Sequence, residues 1–282
     1  MVKPQYLRWL IAEEGVTFSD GIPLTCYRLE YNTDGDILND WALHIRQHYI
    51  NDDDLADSSQ CWDMSPEDYL RTFVIPQKSE DFGPAARSSD LSEILFADLL
   101  EFILGYTVPR CKQYARSGKN NSEHGTDVIG YRFHNANKQP SKADELVTIE
   151  VKATLSISNP ASAITSAVTD STKDDQRFAH TLDYYRKKLR AIGKTEESSE
   201  IARFMQKTER NYVLSHIAGA MASQEKLPDN MLIDVVGKEL KISVNTSVFY
   251  IHGKQLMNLV HDVYERWPMK QRKSNFYQFG TK

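Results

Sequence analysis

Cysteine is scarce in this chain and never clustered. Cys26, Cys61 and Cys111 are the only three among 282 residues, and without a C-x-x-C spacing they signal neither a disulfide framework nor a structural zinc site. They read as ordinary thiols. No apolar run approaches the roughly 20 residues that a membrane-spanning helix needs. The opening MVKPQYLRWLIAEEG lacks the basic start, long apolar centre and small-residue cleavage site of a secretory signal, so a cytoplasmic location is expected. There is no glycine-rich Lys-Ser/Thr loop to cradle nucleotide phosphates, which argues against ATP hydrolysis by this chain. The eight histidines are scattered, and no internal repeat is evident.

What is present suits a globular protein. Hydrophobic residues make up 40% of the chain, enough for a sizeable core. The net charge of −5 is unevenly spread: residues 1 to 80 hold 6 Lys and Arg against 15 Asp and Glu, and the remainder 28 against 24. The acidic front, with NDDDLAD at 51 to 57, fits either a partner surface or a solvated face, and the modest positive excess behind it permits phosphate contact without establishing it.

Local patterns divide the chain in two. In the first region TCYRLEY reads as a strand, NTDGD as a turn and ILNDWALHIRQHYI as a helix. The stretch PQKSEDFGPAARSSD, rich in Pro, Gly, Ser and charge, reads as a connection, which sets an accessory region over 1–84 and a second domain over 85–282. There, LSEILFADLLEFILGY reads as a largely buried helix, capped by Asp90 and ending near Gly105. Its acids, Glu93 above all, then need explaining. After a polar loop, GTDVIGYRF and ELVTIEVKATLS read as an antiparallel strand pair. Helical segments over 161–192 and 198–223 follow, then further strand within 231–253 and a last helix near KQLMNLVHDVYERW.

The stretch VTIEVKATLS holds the chemistry. On an extended chain Val147, Ile149 and Val151 point to one side and Thr148, Glu150 and Lys152 to the other. An acid and a base two residues apart therefore share one face. With Asp127 on the preceding strand, the order helix, strand pair, helix over roughly 88–190 resembles the PD-(D/E)xK nuclease family. The first element stands as Gly125-Thr126-Asp127, without the family's Pro, and the second is intact as Glu150-Val151-Lys152.

This resemblance implies a restriction-endonuclease-like α/β (α+β) core, a mixed sheet flanked by helices, and a metal-dependent phosphodiesterase. A phosphodiester repels nucleophiles, so its hydrolysis needs a cation to offset charge and a positioned water. Hard oxygen ligands suit Mg²⁺, with Mn²⁺ as a substitute. By the same resemblance Asp127, Glu150 and the carbonyl of Val151 are metal ligands, Lys152 handles the attacking water, and Glu93 is the auxiliary upstream acid.

Each residue also has a plainer reading. Glu and Lys two apart on an edge strand are commonly a solvated face worth at most about 1 kcal/mol, and the chain contains a second such triplet, Glu239-Leu240-Lys241, which reads as a solvated hairpin. Asp90 followed three residues later by Glu93 has capping-box spacing. His124 reads as a loop residue, and Asp174 and Asp175 as the start of a helix with a small second role. RKKLR at 186–190, beside Tyr184 and Tyr185, and Arg203, Lys207 and Arg210 at helical spacing, fit either a nucleic-acid track or a solvated helix face.

A narrower resemblance, to the HamA family of effector subunits from bacterial Hachiman anti-phage defence, spans most of the chain. It rests on SSDLSEILFADLLEFILGY, the GTD strand, and IEVKATLS followed by a Ser/Asp-rich helical stretch. It implies a DNA-degrading effector held by a helicase partner, HamB. Two alternatives stay open at this point: a non-catalytic DNA-binding or scaffolding subunit on the same fold, and a site-specific restriction endonuclease.

Overall fold

A computed structural model describes residues 2–121, 123, 125–156, 159–172, 174–206, 209, 211–232 and 235–266, with only the backbone of 174–178. His124, Lys207, Arg210, Asp234 and Trp267 lie outside these residues, as do the side chains of Asp174 and Asp175. In chain order the strands are β1 (Leu10–Glu13), β2 (Thr17–Phe18), β3 (Thr25–Leu29), β4 (Val128–Arg132), β5 (Glu145–Thr154), β6 (Val213–Ser223), β7 (Met231–Leu232) and β8 (Thr246–Gly253). The helices are α1 (Gly35–Tyr49), α2 (Asp52–Cys61), α3 (Pro66–Tyr69), α4 (Gly83–Asp98), α5 (Pro160–Ser171), α6 (Asp174–Ala191), α7 (Thr195–Ala202) and α8 (Leu256–Tyr264).

Six strands form one mixed sheet in the order β1-β3-β8-β6-β5-β4. The inner pairs β3–β8, β8–β6 and β6–β5 are parallel, and the outer pairs β1–β3 and β5–β4 are antiparallel. Helices cover both faces, which is the mixed α/β architecture expected from the sequence. On one face α4 presents Leu91, Ile94 and Leu95 to Val147, Ile149 and Val151 of β5 in the largest apolar cluster. On the other, α5 sets Ala163, Ile164, Ala167 and Val168 against Ala218, Ala220 and Ala222 of β6. Each such side chain of Leu or Ile size, fully buried, contributes about 1.5–3 kcal/mol relative to exposure. Among the described residues no helix is long and apolar enough to cross a membrane.

The strand pair expected over 125–133 and 145–156 forms as β4 and β5, antiparallel, with Val128 opposite Ile149. The helix expected from Asp90 instead begins about two turns earlier at Gly83, inside the stretch read as a connection, and ends in a widened π turn over Leu99–Ile103. Asp90 is consequently no cap. It is a buried mid-helix acid that accepts hydrogen bonds from the Tyr49 hydroxyl and the Arg116 guanidinium, each at 2.5 Å. The boundary at 84/85 falls in the first turn of α4, while β1 and β3 from before it join the same sheet as β4, β5, β6 and β8.

Two further expectations change. The segment 198–223, read as one helix, is the end of α7, a connection, and the central strand β6. A strand buried on both faces carries no period-2 alternation, and AGAMAS, rich in alanine, has strong helix propensity. The surrounding parallel strands override it. Arg203 accordingly does not lie on an exposed helical face; it is buried against Asp144, its Nε 3.1 Å from Oδ2. Glu239 and Lys241 do not form a hairpin: Glu239 lies in a short 3₁₀ turn, Gly237–Leu240, and Lys241 follows it with φ of 51°. Both are exposed.

Candidate active site

The β4–β5 edge places the expected residues. Thr126 donates its backbone N–H to the Thr181 hydroxyl of α6 at 3.3 Å, and Gly125 before it has φ of +104° with Thr181 Oγ1 only 3.1 Å from where a Cβ would stand. Only glycine fits that close turn without strain. Asp127 then enters β4 with its carboxylate turned across to β5, where Oδ2 accepts the backbone N–H of Val151 at 2.8 Å. The Tyr185 hydroxyl holds the Asp127 carbonyl at 3.2 Å.

Alternation along β5 works as expected. Val147, Ile149 and Val151 join the apolar cluster under α4, and Glu150 and Lys152 share the opposite face, Lys152 Nζ donating to Glu150 Oε1 at 2.8 Å. Asp170 of α5 takes the same ammonium at 2.9 Å. Burial opposes the charge on Lys152, but its hydrogen bonds to Glu150 and Asp170 outweigh it and hold its pKa above the ordinary lysine value. Lys152 is thus a firm ammonium, with one of its three N–H donors left over from these two carboxylates.

Glu93 approaches from α4, on the other face of the sheet. Its neighbours are residues to which the sequence drew no attention. Lys112, in the loop between α4 and β4, sets its ammonium 3.2 Å from Glu93 Oε2 and 2.6 Å from Asp127 Oδ1. Gln113 donates to Glu93 Oε2 at 2.9 Å and Ser89 to Oε1 at 3.2 Å. The capping-box explanation of Glu93 therefore fails, because the helix begins well before it and its side chain is buried among polar partners. Burial raises the Glu93 pKa, Lys112 partly offsets that, and the charges of Asp127 and Asp90 raise it further, to about 8. Lys112 loses solvation too, yet the two carboxylates hold it charged, well above the ordinary lysine range.

The site thus has two halves. Glu93, Lys112 and Asp127 form one; Glu150, Lys152 and Asp170 form the other. The hydrogen bond from Val151 N–H to Asp127 joins them. A cleft of about 630 Å³ opens here, with Ser89, Glu93, Asp127, Val151 and Lys152 in its walls. Glu150, 5% exposed, lies behind Lys152 and does not border it. The oxygens of Glu93, Asp127 and Glu150 do not all come within 4.8 Å of one another. Lys112, Gln113 and Asp170 have no periodicity or spacing that marks them in advance; only the fold brings them here.

The basic stretch of α6 is largely committed to internal contacts. Arg186 and Lys187 pair with Asp183, Lys188 donates to the carbonyl of Lys112 at 3.0 Å, and Tyr185 and Leu189 are buried. Lys187 and Arg190 are exposed.

No curated protein matches the chain. Residues 4–267 match the family described as HamA.

Proposed function

Since the chain belongs to the HamA family, a component of Hachiman anti-phage defence, we propose that it is a metal-dependent DNase, the effector of a defence complex. The observation that carries the reading is the hydrogen bond from the backbone N–H of Val151, the residue between Glu150 and Lys152, to Asp127, 24 positions earlier in the chain. It ties the acid of one strand to the acid and base of the next at the edge of an open cleft.

The donor chemistry fits a small hard dication. Glu93 and Asp127 are carboxylates that already share one buried cation, the Lys112 ammonium, and hard oxygen donors suit Mg²⁺ or Mn²⁺. Asp127 and Glu150, with the carbonyl of Val151, would hold the ion, and Glu93 would support its water. When bound, such an ion supplies Lewis acidity and a water of lowered pKa. The chain's own part is positional and electrostatic. Lys152, kept protonated by Glu150 and Asp170, does not act as a base; it donates a hydrogen bond to the attacking water or to the phosphate oxygen that gains charge. Glu150, buried behind it, fixes the direction of that ammonium. Glu93, as a raised acid, accepts or returns a proton near neutral pH.

A helicase partner of the HamB kind would restrain the nuclease and release it on DNA. The test is incubation of plasmid DNA with the purified chain, with and without that partner, in Mg²⁺ or EDTA, comparing wild type with Glu150→Ala and Lys152→Ala. Degradation that needs the metal, is lost in both variants and leaves no fixed fragment pattern is the expected result. Equal degradation by folded variants refutes the assignment. A folded wild type that binds DNA and never cuts it would instead support a scaffolding subunit, a reading favoured by the way Lys112 and Lys152 already pair with the four acids around them.

A further inference from the structure

At the far end of the sheet a second set of ligand atoms converges. Glu13 of β1, Cys26 of β3 and His252 of β8 each offer one donor atom, and the three atoms lie within 4.8 Å of one another. Strand register puts them there: Glu13 stands opposite Cys26, and Arg28, two residues on, opposite His252. Cys26 and His252 are buried, at 2% and 0% exposure. Glu13 borders an open cleft of about 750 Å³, with Arg28 and Gly253 also in its wall.

The hydrogen bonding of His252 is the telling feature. Its Nδ1 is 2.7 Å from the carbonyl oxygen of Gln224, a contact that requires a proton on Nδ1. The lone pair of Nε2 then faces a carboxylate oxygen, Glu13 Oε2, at 2.8 Å. Two acceptors at that distance need a cation between them, either a second proton or a metal ion. The Cys26 thiol lies 3.8 Å from the same oxygen. Zinc bonds of about 2.0 Å to N and O and about 2.3 Å to S, at a tetrahedral angle, set ligand atoms roughly 3.3–3.5 Å apart. The observed 2.8 and 3.8 Å bracket those edges.

The surroundings match those of metal ligands elsewhere. The ring nitrogen opposite the metal-binding one is held by a backbone carbonyl, and the carboxylate is itself hydrogen-bonded: Arg28 Nε donates to Glu13 Oε1 at 2.7 Å, while Oε2 is the oxygen that faces His252 and Cys26. Gln224 also accepts from the Tyr250 hydroxyl at 2.8 Å, and that ring lies parallel to His252.

We propose that Glu13, Cys26 and His252 form a zinc site with three protein ligands and a fourth position open to the cleft. Thiolate with imidazole selects Zn²⁺ over Mg²⁺. The site uses none of the residues assigned to hydrolysis and sits on β1, β3 and β8, away from β4 and β5 in the strand order. It clips β1, a four-residue edge strand whose only strand partner is β3, to two inner strands.

The test uses the full chain, stripped of metal and titrated with Co²⁺, then Zn²⁺. The expected result is one equivalent of Co²⁺ with a thiolate-to-cobalt charge-transfer band that Zn²⁺ abolishes. Cys26→Ser and His252→Ala should lose the band, and Cys61→Ser and Cys111→Ser should keep it. Glu13→Gln, at the cleft rim and outside the apolar clusters, should weaken Zn²⁺ binding at least about tenfold. It keeps the idea testable if a core variant fails to fold. Three results overturn the proposal: no Co²⁺ uptake, a band that survives in folded Cys26→Ser, or Co²⁺ bound without a thiolate signature. The last would place the ion elsewhere, on the carboxylates proposed for hydrolysis or on His44, His48 and Asp98, the other such cluster among the described residues.

Discussion

Replacing Lys112 by Met keeps the length of the side chain and removes only the ammonium that Glu93 and Asp127 share. Truncating one partner of a buried ion pair costs about 3–5 kcal/mol, because the remaining charge stays buried. Glu93 can answer by keeping its proton, so the low end is expected in the metal-free protein. Near 3 kcal/mol and about 2–4 °C per kcal/mol for domains approaching this size, the melting temperature should fall by roughly 6–12 °C in EDTA. If the two carboxylates belong to a dication site, Mg²⁺ has no ammonium to displace in the variant and can replace its charge. At a hundred times its dissociation constant a ligand stabilises by about 2.7 kcal/mol, which restores most of the loss. The assay is thermal unfolding of wild type and Lys112→Met in EDTA and in saturating Mg²⁺. Wild type, in which Mg²⁺ has to compete with the Lys112 ammonium, should gain less than the variant. A variant that melts at one temperature in both conditions refutes the reasoning, since the acids would then be a buried ion cluster and nothing more.

Two other perturbations probe how the site is built. The Glu93 pKa is raised in the folded protein, to about 8 from the ordinary 4.5, so the folded state holds a proton that the unfolded state has lost; stability from this group is present below pH 4.5 and is lost as pH rises through 8. Glu93→Gln removes that titration, and at about 1.4 kcal/mol per pKa unit the variant should gain on wild type by roughly 2–4 kcal/mol between pH 5 and 8.5 in urea unfolding; parallel pH profiles would contradict the assignment. Gly83→Ala would place a Cβ 1.7 Å from the carbonyl oxygen of Gln77, which backbone cannot yield cheaply. A loss of more than about 3 kcal/mol, the upper end of ordinary overpacking, is expected, together with weakened activity in the proposed DNase assay as α4 and Glu93 shift. A loss under about 1 kcal/mol would mean the start of α4 is free to move.

How much of this was legible in the chain follows from which interactions are local. Alternation along a strand is a property of the backbone, so Glu150 and Lys152 had to share a face once residues 145–154 were extended, and they do. The antiparallel partner and the buried helix before it were legible from local pattern too, while the flanking-helix architecture came with the family resemblance. By contrast, β6 was hidden: its alanine-rich run owes its conformation to strands on both sides, and local propensity points the other way.

The sequence by itself therefore determined the triplet on β5, the acid before β4 and the apolar faces that stack the helices on the sheet, because each depends on neighbours within a few residues. Only the tertiary structure decided what those side chains meet. It set Lys112 between Glu93 and Asp127, Asp170 beside Lys152, and Cys26 next to a histidine 226 residues later. Charge in a buried place is governed by distance through space and by lost hydration, and neither is written in the spacing of residues along a chain.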